Sequence, residues 1–148
     1  MLLWCVVFFV WIDAWAYVAH RFLHLPPIYR NVHKTHHVYK QPTAYAAMGL
    51  HPLEFLLVQG GVYAAFYFMP LQIGAVAANL IYIHFHNCVD HSGVYAESWL
   101  PWQPSSLYHD AHHRLFHVNY GQTLTLWDRL GGTFYTPDKA YGEDAFSY

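Results

Sequence analysis

The sequence predicts an all-α integral membrane protein: a helical bundle of about three transmembrane helices with a cytoplasmic, histidine-rich helical cap. Hydrophobic residues make up 55% of the 148 residues, and charged residues make up only 11%. Long apolar stretches with so few charges are typical of membrane spans. The chain also contains 13 histidines, most of them closely clustered. Its length suits one domain, so we expect a single membrane domain over residues 1–148.

Three apolar stretches give the predicted spans, which are residues 2–19, 50–69 and 71–89. Each is close to the roughly 20 residues, or about 30 Å of helix, that a bilayer requires. The first lacks the basic start and small-residue cleavage site of a signal peptide, so we expect a retained anchor. The other two are joined at Met69 and Pro70, and this short link predicts a hairpin. A buried hairpin in a soluble bundle and a half-inserted pair of helices are the alternatives.

A hairpin enters and leaves the membrane on one side, so the histidine clusters are expected to meet there. All the lysine and arginine residues lie on that side, and none lies in the hairpin turn: Arg21, Arg30, Lys34, Lys40, Arg114, Arg129 and Lys139. The positive-inside rule makes this side cytoplasmic, in the endoplasmic reticulum of a eukaryote or the inner membrane of a bacterium. Residues 90–148 form the predicted cap, with one helix around residues 109–116 and a turn-rich tail. The net charge of −2 excludes a basic nucleic-acid binder.

The histidines have the spacing of metal ligands. Residues three and four apart share one face of a helix, so each cluster directs several imidazoles toward one point. In an HxxHH triplet the last two rings point about 100° apart, so one helical turn can serve two neighbouring ions. The candidate ligands are His20 and His24 of HRFLH, His33, His36 and His37 of HKTHH, the isolated His91, and His109, His112 and His113 of HDAHH. Such a set exceeds the roughly four to six positions of one ion, which predicts a two-metal site.

Further residues extend this interpretation. His86 and His51 would each complete a ten-ligand set. Asp110 is expected either to orient a ligating imidazole or to be a plain surface carboxylate. The tail residues Trp127, Asp128 and Arg129 are expected to pin the C-terminal segment by packing and an ion pair, and residues 119–122 to shape the floor of the site.

Three other interpretations of the histidines stay open from the residues alone. They could be surface groups that respond to pH. They could belong to a membrane metal-binding or transport protein without oxidase activity, which predicts polar residues within the spans. A catalytically silent relative would be expected to have a broken cluster, and every cluster is intact. Imidazole suits iron, zinc, copper and nickel, although the spacings are not those of a structural zinc site.

The ordered motifs resemble the fatty acid hydroxylase/sterol desaturase superfamily of membrane di-iron oxidases, and most closely its sterol C5-desaturase (lathosterol oxidase) branch. The stretches that carry the resemblance lie within about residues 11–137 and are HRFLH, HKTHHVYKQPTAYAAMGLHPLE, HSGVY and HDAHHRLFHVNYGQTLTLWDRLGGTF. The last, with its NYGQ and LWDR-GG tail, is the most specific.

The resemblance implies two non-haem iron ions held by the nine histidines of the clusters, with dioxygen as co-substrate. It implies removal of hydrogen from an unactivated C–H bond of a sterol or fatty-acyl lipid, giving a double bond or a hydroxyl. No catalytic residue beyond the metal ligands is expected. The sequence has no GxGxxG motif, haem module or cysteine cluster, so the electrons would come from another protein. The resemblance implies cytochrome b5 or a ferredoxin-like donor. Lys34, Lys40 and Arg114 are candidate contacts for such an acidic partner.

Overall fold

The computed structural model describes residues 2–38, 43–98 and 100–136, and within these ranges every regular element is helical. The predicted all-α class is confirmed for this part of the chain. Lys40, Lys139 and the end of the predicted cap, residues 137–148, lie outside the described residues. The elements are α1 Leu2–Leu23, α2 Pro26–Asn31, a first 3₁₀ helix His33–Val38, a second 3₁₀ helix Ala44–Met48, α3 Pro52–Phe68, α4 Ile73–Asp90, α5 Leu107–Leu115 and α6 Leu126–Gly131.

α1 is the central helix, and both α3 and α4 pack against it. The core between them consists of apolar side chains from all three helices, which are Phe8, Ile12, Ala65, Val76 and Ile83. α3 approaches α1 so closely at Gly61 that a Cβ there would lie 2.4 Å from the ring of Trp15. The indole N–H of Trp11 donates to the carbonyl of Gly61 at 2.8 Å. This close contact fixes the position of α3 along α1.

Proline residues set the boundaries that position the histidines. α1 ends at Leu23, and Pro26 begins α2 at the first helical position, where its missing N–H costs nothing. α1 therefore extends past the predicted end at residue 19, and His20 lies on α1 itself. Pro52 begins α3 in the same way. The predicted helix near residues 109–116 is confirmed as α5, and Gly132 reverses the chain after α6 with a left-handed φ of 71°.

The three predicted spans are confirmed only in part. Among the described helices, α1 alone is long and apolar enough to cross a membrane, with a mean hydropathy of 1.9. α3 has 17 residues. α4 has 18, but it carries amide, imidazole and carboxyl groups that lower its hydropathy, at Asn79, His84, His86, Asn87 and Asp90. The prediction of three spans of about 20 residues each is thus not confirmed for α3 and α4.

Candidate metal centre

All nine histidines of the predicted clusters come together in two adjacent groups. Within each group the nearest ring nitrogens all lie within 4.8 Å of one another. The first histidine group consists of His20, His24, His33, His37 and His112, and the second consists of His36, His91, His109 and His113. Eight of the nine are buried and His20 is partly buried. The interpretation of these side chains as surface groups is therefore wrong.

Each HxxHH triplet contributes histidines to both groups. The first triplet gives two to the first group and one to the second, and the other triplet gives one to the first and two to the second. His33 and His37 belong to the first group while His36 belongs to the second. In the other triplet, the first and last histidines join the second group and His112 joins the first. This arrangement agrees with the prediction that one helical turn can serve two neighbouring ions. The expected helix type is corrected at HKTHH, which lies on the first 3₁₀ helix and not on an α-helix.

The ring nitrogens within each group lie at the separations expected of ligands around one ion. In the second group, the Nε2 atom of His91 lies 3.2 Å from that of His36 and 3.1 Å from those of His109 and His113. In the first group, the Nε2 atom of His37 lies 3.1 Å from that of His112. Two nitrogens about 2.1 Å from one ion are about 3.0 Å apart at a right angle and about 3.4 Å apart at the tetrahedral angle. The observed spacing of 3.1–3.2 Å lies between these two values, as expected of nitrogens that share one ion.

The other ring nitrogen of several histidines is held by a fixed acceptor. The Nδ1–H groups of His20, His91 and His112 donate to the backbone carbonyls of Tyr120, Asn87 and Val118 at 2.9, 2.8 and 2.7 Å. The Nδ1–H of His33 donates to Glu54 at 2.7 Å. A proton on Nδ1 leaves the Nε2 lone pair free, so these contacts select the tautomer that binds a metal.

Burial keeps the imidazoles neutral. It lowers the pKa of His109 and His112 well below the ordinary value, and neighbouring histidines lower it further. The same two causes lower the pKa of His36 and His37. Burial lowers the pKa of His91 to about 4. A metal displaces protons from its ligands, so rings that are already neutral at pH 7 are prepared for binding.

Two further predicted ligands, His51 and His86, lie apart from these groups. His51 caps α3, where its Nδ1 accepts from the Leu53 N–H at 3.2 Å. The Nδ1 atom of His86 lies 2.7 Å from a carboxylate oxygen of Asp90. Neither side chain belongs to either group, so this geometry does not support a ten-ligand set.

A carboxylate oxygen of Asp110 lies 3.1 Å from the Nε atom of Arg114. Asp110 is therefore a surface carboxylate, which was the second of its two predicted roles. The carboxylate that does orient an imidazole is Glu54, which the sequence analysis did not select. The sequence alone could have drawn attention to Glu54, because it is the one Asp, Glu, Lys or Arg between positions 41 and 89.

Two buried carboxylates attach the C-terminal segment to this centre. Asp128 accepts hydrogen bonds from the Tyr108 hydroxyl, from the Tyr120 N–H at 2.9 Å and from the Gly121 N–H at 2.6 Å. Asp13 on α1 accepts from the Thr123 N–H at 2.9 Å and the Trp127 indole at 2.8 Å.

The pinning role predicted for Trp127 and Asp128 agrees with these hydrogen bonds. Arg129 acts differently from the predicted ion pair, since its guanidinium carbon lies 4.0 Å from the ring centroid of Phe134. The segment that Asp128 holds also supplies the carbonyl acceptors of His20 and His112, so it forms part of the support of the metal centre.

A cavity of about 90 Å³ adjoins both histidine groups, and its lining includes His20, His33, His36, His91 and His109. A second cavity of about 70 Å³ lies between α1, α3 and α4. The two cavities share lining residues, namely Ala16, Ala47, Leu50, Val58, Asn87 and Gln122. Residues 120–122 line the first cavity, as the sequence analysis expected of the NYGQ segment. The cavities are thus neighbours, one beside the histidines and the other among apolar side chains between the long helices.

Comparison with known proteins gives consistent matches. The fatty acid hydroxylase family matches residues 5–133. The chain is 38% identical over 133 residues to a probable Delta(7)-sterol 5(6)-desaturase of Neurospora crassa, covering 89% of this chain and 38% of the relative. It is 32% identical over 145 residues to lathosterol oxidase of Homo sapiens, covering 97% of this chain and 48% of the relative.

It is also 34% identical over 131 residues to the Delta(7)-sterol 5(6)-desaturase of Saccharomyces cerevisiae, covering 88% of this chain and 36% of that relative. The chain thus spans less than half the length of these relatives. No solved structure matches the chain. The resemblance predicted from the histidine motifs and the tail is confirmed.

We predict that Asp128→Asn lowers the free energy of unfolding by about 2 kcal/mol, because an amide group would face N–H and O–H donors in a buried site. Asp110→Asn is the matched control, since that carboxylate forms a partly exposed ion pair and its loss should change the free energy of unfolding by less than about 0.5 kcal/mol. Denaturant unfolding in mild detergent measures both values. Equal stability of the two variants would contradict the anchoring role of Asp128.

Proposed function

The chain belongs to the fatty acid hydroxylase family, and we propose that it is a membrane-bound non-haem di-iron oxidoreductase that uses dioxygen to desaturate or hydroxylate a lipid. The observation that carries this proposal is the pair of adjacent, buried groups made only of histidine. Their Nε2 atoms converge at 3.1–3.2 Å, and hydrogen bonds at Nδ1 fix several of them in the ligating tautomer.

The donor set favours iron over a structural zinc ion. A structural zinc site closes with four ligands in a tetrahedron, often including cysteine. Here the first histidine group offers five nitrogens, one more than a tetrahedral site accepts, and neither group contains cysteine. Iron accepts five or six ligands, so groups of five and four nitrogens leave positions beside the cavity for small molecules. Two iron ions held this way would supply the oxygen chemistry, while the protein binds, orients and shields the reactants.

A lipid substrate agrees with the path of the cavities. The first cavity lies beside both histidine groups, and the second extends among apolar side chains of α1, α3 and α4 that include Ile12, Val62, Leu80 and Ile83. The relatives are named as desaturases of a Delta(7)-sterol and as an oxidase of lathosterol. We assign a sterol-like lipid to this chain on those two grounds. Asn87 and Gln122 line both cavities, and they are polar residues that can meet a polar group of such a substrate.

The outer faces of the long helices support a membrane location. Large apolar side chains on α3 and α4 are exposed, among them Leu56 at 61%, Tyr67 at 91%, Ile73 at 81% and Ile81 at 71%. An apolar surface of this extent is unfavourable in water and favourable against lipid. The proposed location is therefore integral to the membrane, with α3 and α4 embedded beside α1. The histidine groups then lie on the cytoplasmic side, where the cations of the chain also lie.

Sidedness can be measured by labelling. Lys34 and Arg114 are exposed and lie near the two HxxHH triplets, so each is replaced by cysteine in a background in which Cys5 and Cys88 are serine. We expect a membrane-impermeant maleimide to label both positions in inside-out vesicles and neither in sealed right-side-out vesicles. Labelling of the two positions from opposite sides would contradict a hairpin that returns the chain to one face.

The ligand assignment predicts different results for two histidines. His112 is fully buried within the first group, so His112→Ala should abolish lipid oxidation and remove about one metal ion per chain. The variant should still reside in the membrane. His51→Ala is the matched control, because His51 caps α3 and belongs to neither group. It should keep the full metal content and lose only the cap, which contributes about 1 kcal/mol.

Metal content is measured by elemental analysis of detergent-purified protein, and oxidation by oxygen uptake with reductant and a panel of sterols and fatty acyl lipids. Wild-type metal content in His112→Ala would contradict the ligand set. Full metal content in the unmodified protein without oxygen uptake would instead support a metal-binding or transport protein.

A further inference from the structure

α5 separates the metal centre from a groove on the protein surface. One side of this helix carries the ligands of the HDAHH triplet. The other side lines a groove of about 510 Å³ with Leu107, Tyr108, Ala111 and Arg114. The diameter of an α-helix with its side chains is about 10 Å, so a group bound in the groove lies about one helix away from the histidines.

The groove is basic and partly aromatic. Arg114 and Arg129 line it, and none of its described lining residues is acidic. Arg114 is more than half exposed, and a carboxylate oxygen of Asp110 lies 3.1 Å from its Nε atom. Trp102 and Leu107 are 49% and 53% exposed and provide apolar contact area. Aromatic and arginine side chains with few acids are the composition of protein interfaces, and the charge suits an acidic partner.

A continuous path of bonded groups joins the floor of the groove to the first histidine group. Tyr108 lines the groove and precedes the ligand His109 in the chain. Its hydroxyl donates to Asp128, which accepts from the Tyr120 N–H at 2.9 Å. The carbonyl of Tyr120 in turn accepts from the Nδ1–H of His20 at 2.9 Å. The ring of Tyr120 also lies 5.5 Å from that of His112, centroid to centroid.

We propose that this groove is the docking site of the electron donor, a small protein with an acidic surface around a one-electron redox group. This inference rests on the function proposed above. Desaturation removes two hydrogen atoms from the lipid, and dioxygen with two further electrons and two protons then yields two water molecules. A one-electron donor must therefore dock twice in each turnover, and its electrons cross α5 toward the histidines.

The position and polarity of the groove favour a redox protein over the lipid surface. The groove lies between α5, α6 and residues 101–105, and its described lining residues include none from α3 or α4. Its lining includes partly exposed polar side chains that a water-soluble partner can contact, namely Gln103, Ser105 and Thr125. A donor that must bind and leave twice requires a small interface steered by charge, and two arginines beside an exposed tryptophan are suited to that task.

Charge reversal in the groove tests the proposal directly. The full chain in lipid nanodiscs is titrated with the soluble haem domain of cytochrome b5 and with a plant-type [2Fe–2S] ferredoxin. For the donor that binds, Arg114→Glu with Arg129→Glu should raise the dissociation constant roughly tenfold and flatten its dependence on ionic strength. Arg30→Glu with Lys34→Glu is the matched control, because both side chains are exposed outside the groove and carry the same charge change. Lys34 is also the alternative donor contact that the sequence suggested, so the same pair tests that alternative. It should leave binding within about twofold of the unmodified protein.

A milder variant guards against misfolding. Arg114→Gln removes one charge from an exposed side chain and should weaken donor binding a few-fold with an unchanged unfolding temperature. Unchanged binding in the groove variants, or weakened binding in the control pair, would overturn the proposal.

Oxidation supported by a small reductant such as reduced methyl viologen separates this inference from the proposed function. Suppose that methyl viologen supports product formation but the groove variants bind the donor as tightly as the unmodified protein. That result would leave the oxidase function intact and overturn the docking site. No product with either reductant would count against the oxidase function, while the binding titration would still decide the groove.

Discussion

The convergence of nine imidazole rings on two points is the constraint on which the rest of this structure depends. A neutral imidazole has one N–H, and His20, His33, His91 and His112 use theirs at Nδ1. Their Nε2 lone pairs then point into the groups, with neighbouring nitrogens at 3.1–3.2 Å. A cation between these lone pairs removes their mutual repulsion, so the arrangement favours bound metal. The free energy of metal binding would then contribute directly to folding.

The fold provides rigid supports for these rings. Asp13 on α1 and Asp128 on α6 are buried at 2% and 0% exposure, and backbone and side-chain donors surround both. Hydrogen bonds to a carboxylate are about twice as strong as those between neutral groups, so the two residues fix the course of residues 118–128. That segment presents the carbonyls that orient His20 and His112. α1 and α6, which are far apart in the sequence, thus together support the histidines through residues 118–128.

Local spacing made the convergence of the nine histidines predictable, because residues three and four apart share a face of an α-helix. The sequence also anticipated α5 and the pinning of the tail. It did not predict that HKTHH forms a 3₁₀ helix, since the choice between helix types depends on how a short segment packs. It gave His86 a role near the metals, but the partner of His86 lies one turn away, at Asp90. Glu54 and Asp13 could be recognised only as isolated charges in apolar stretches, because their partners lie 21 and 110 residues away in the chain.

The most direct test of the central claim is Mössbauer spectroscopy, with elemental analysis, of detergent-purified protein expressed in iron-57 medium. We predict about two iron ions per chain in two environments, because the histidine groups offer five and four nitrogens. The reduced protein should give two quadrupole doublets of equal area, both typical of high-spin ferrous ions with nitrogen ligands. A single ion per chain, or a protein that takes up only tetrahedral zinc and never consumes oxygen after iron reconstitution, would contradict the account.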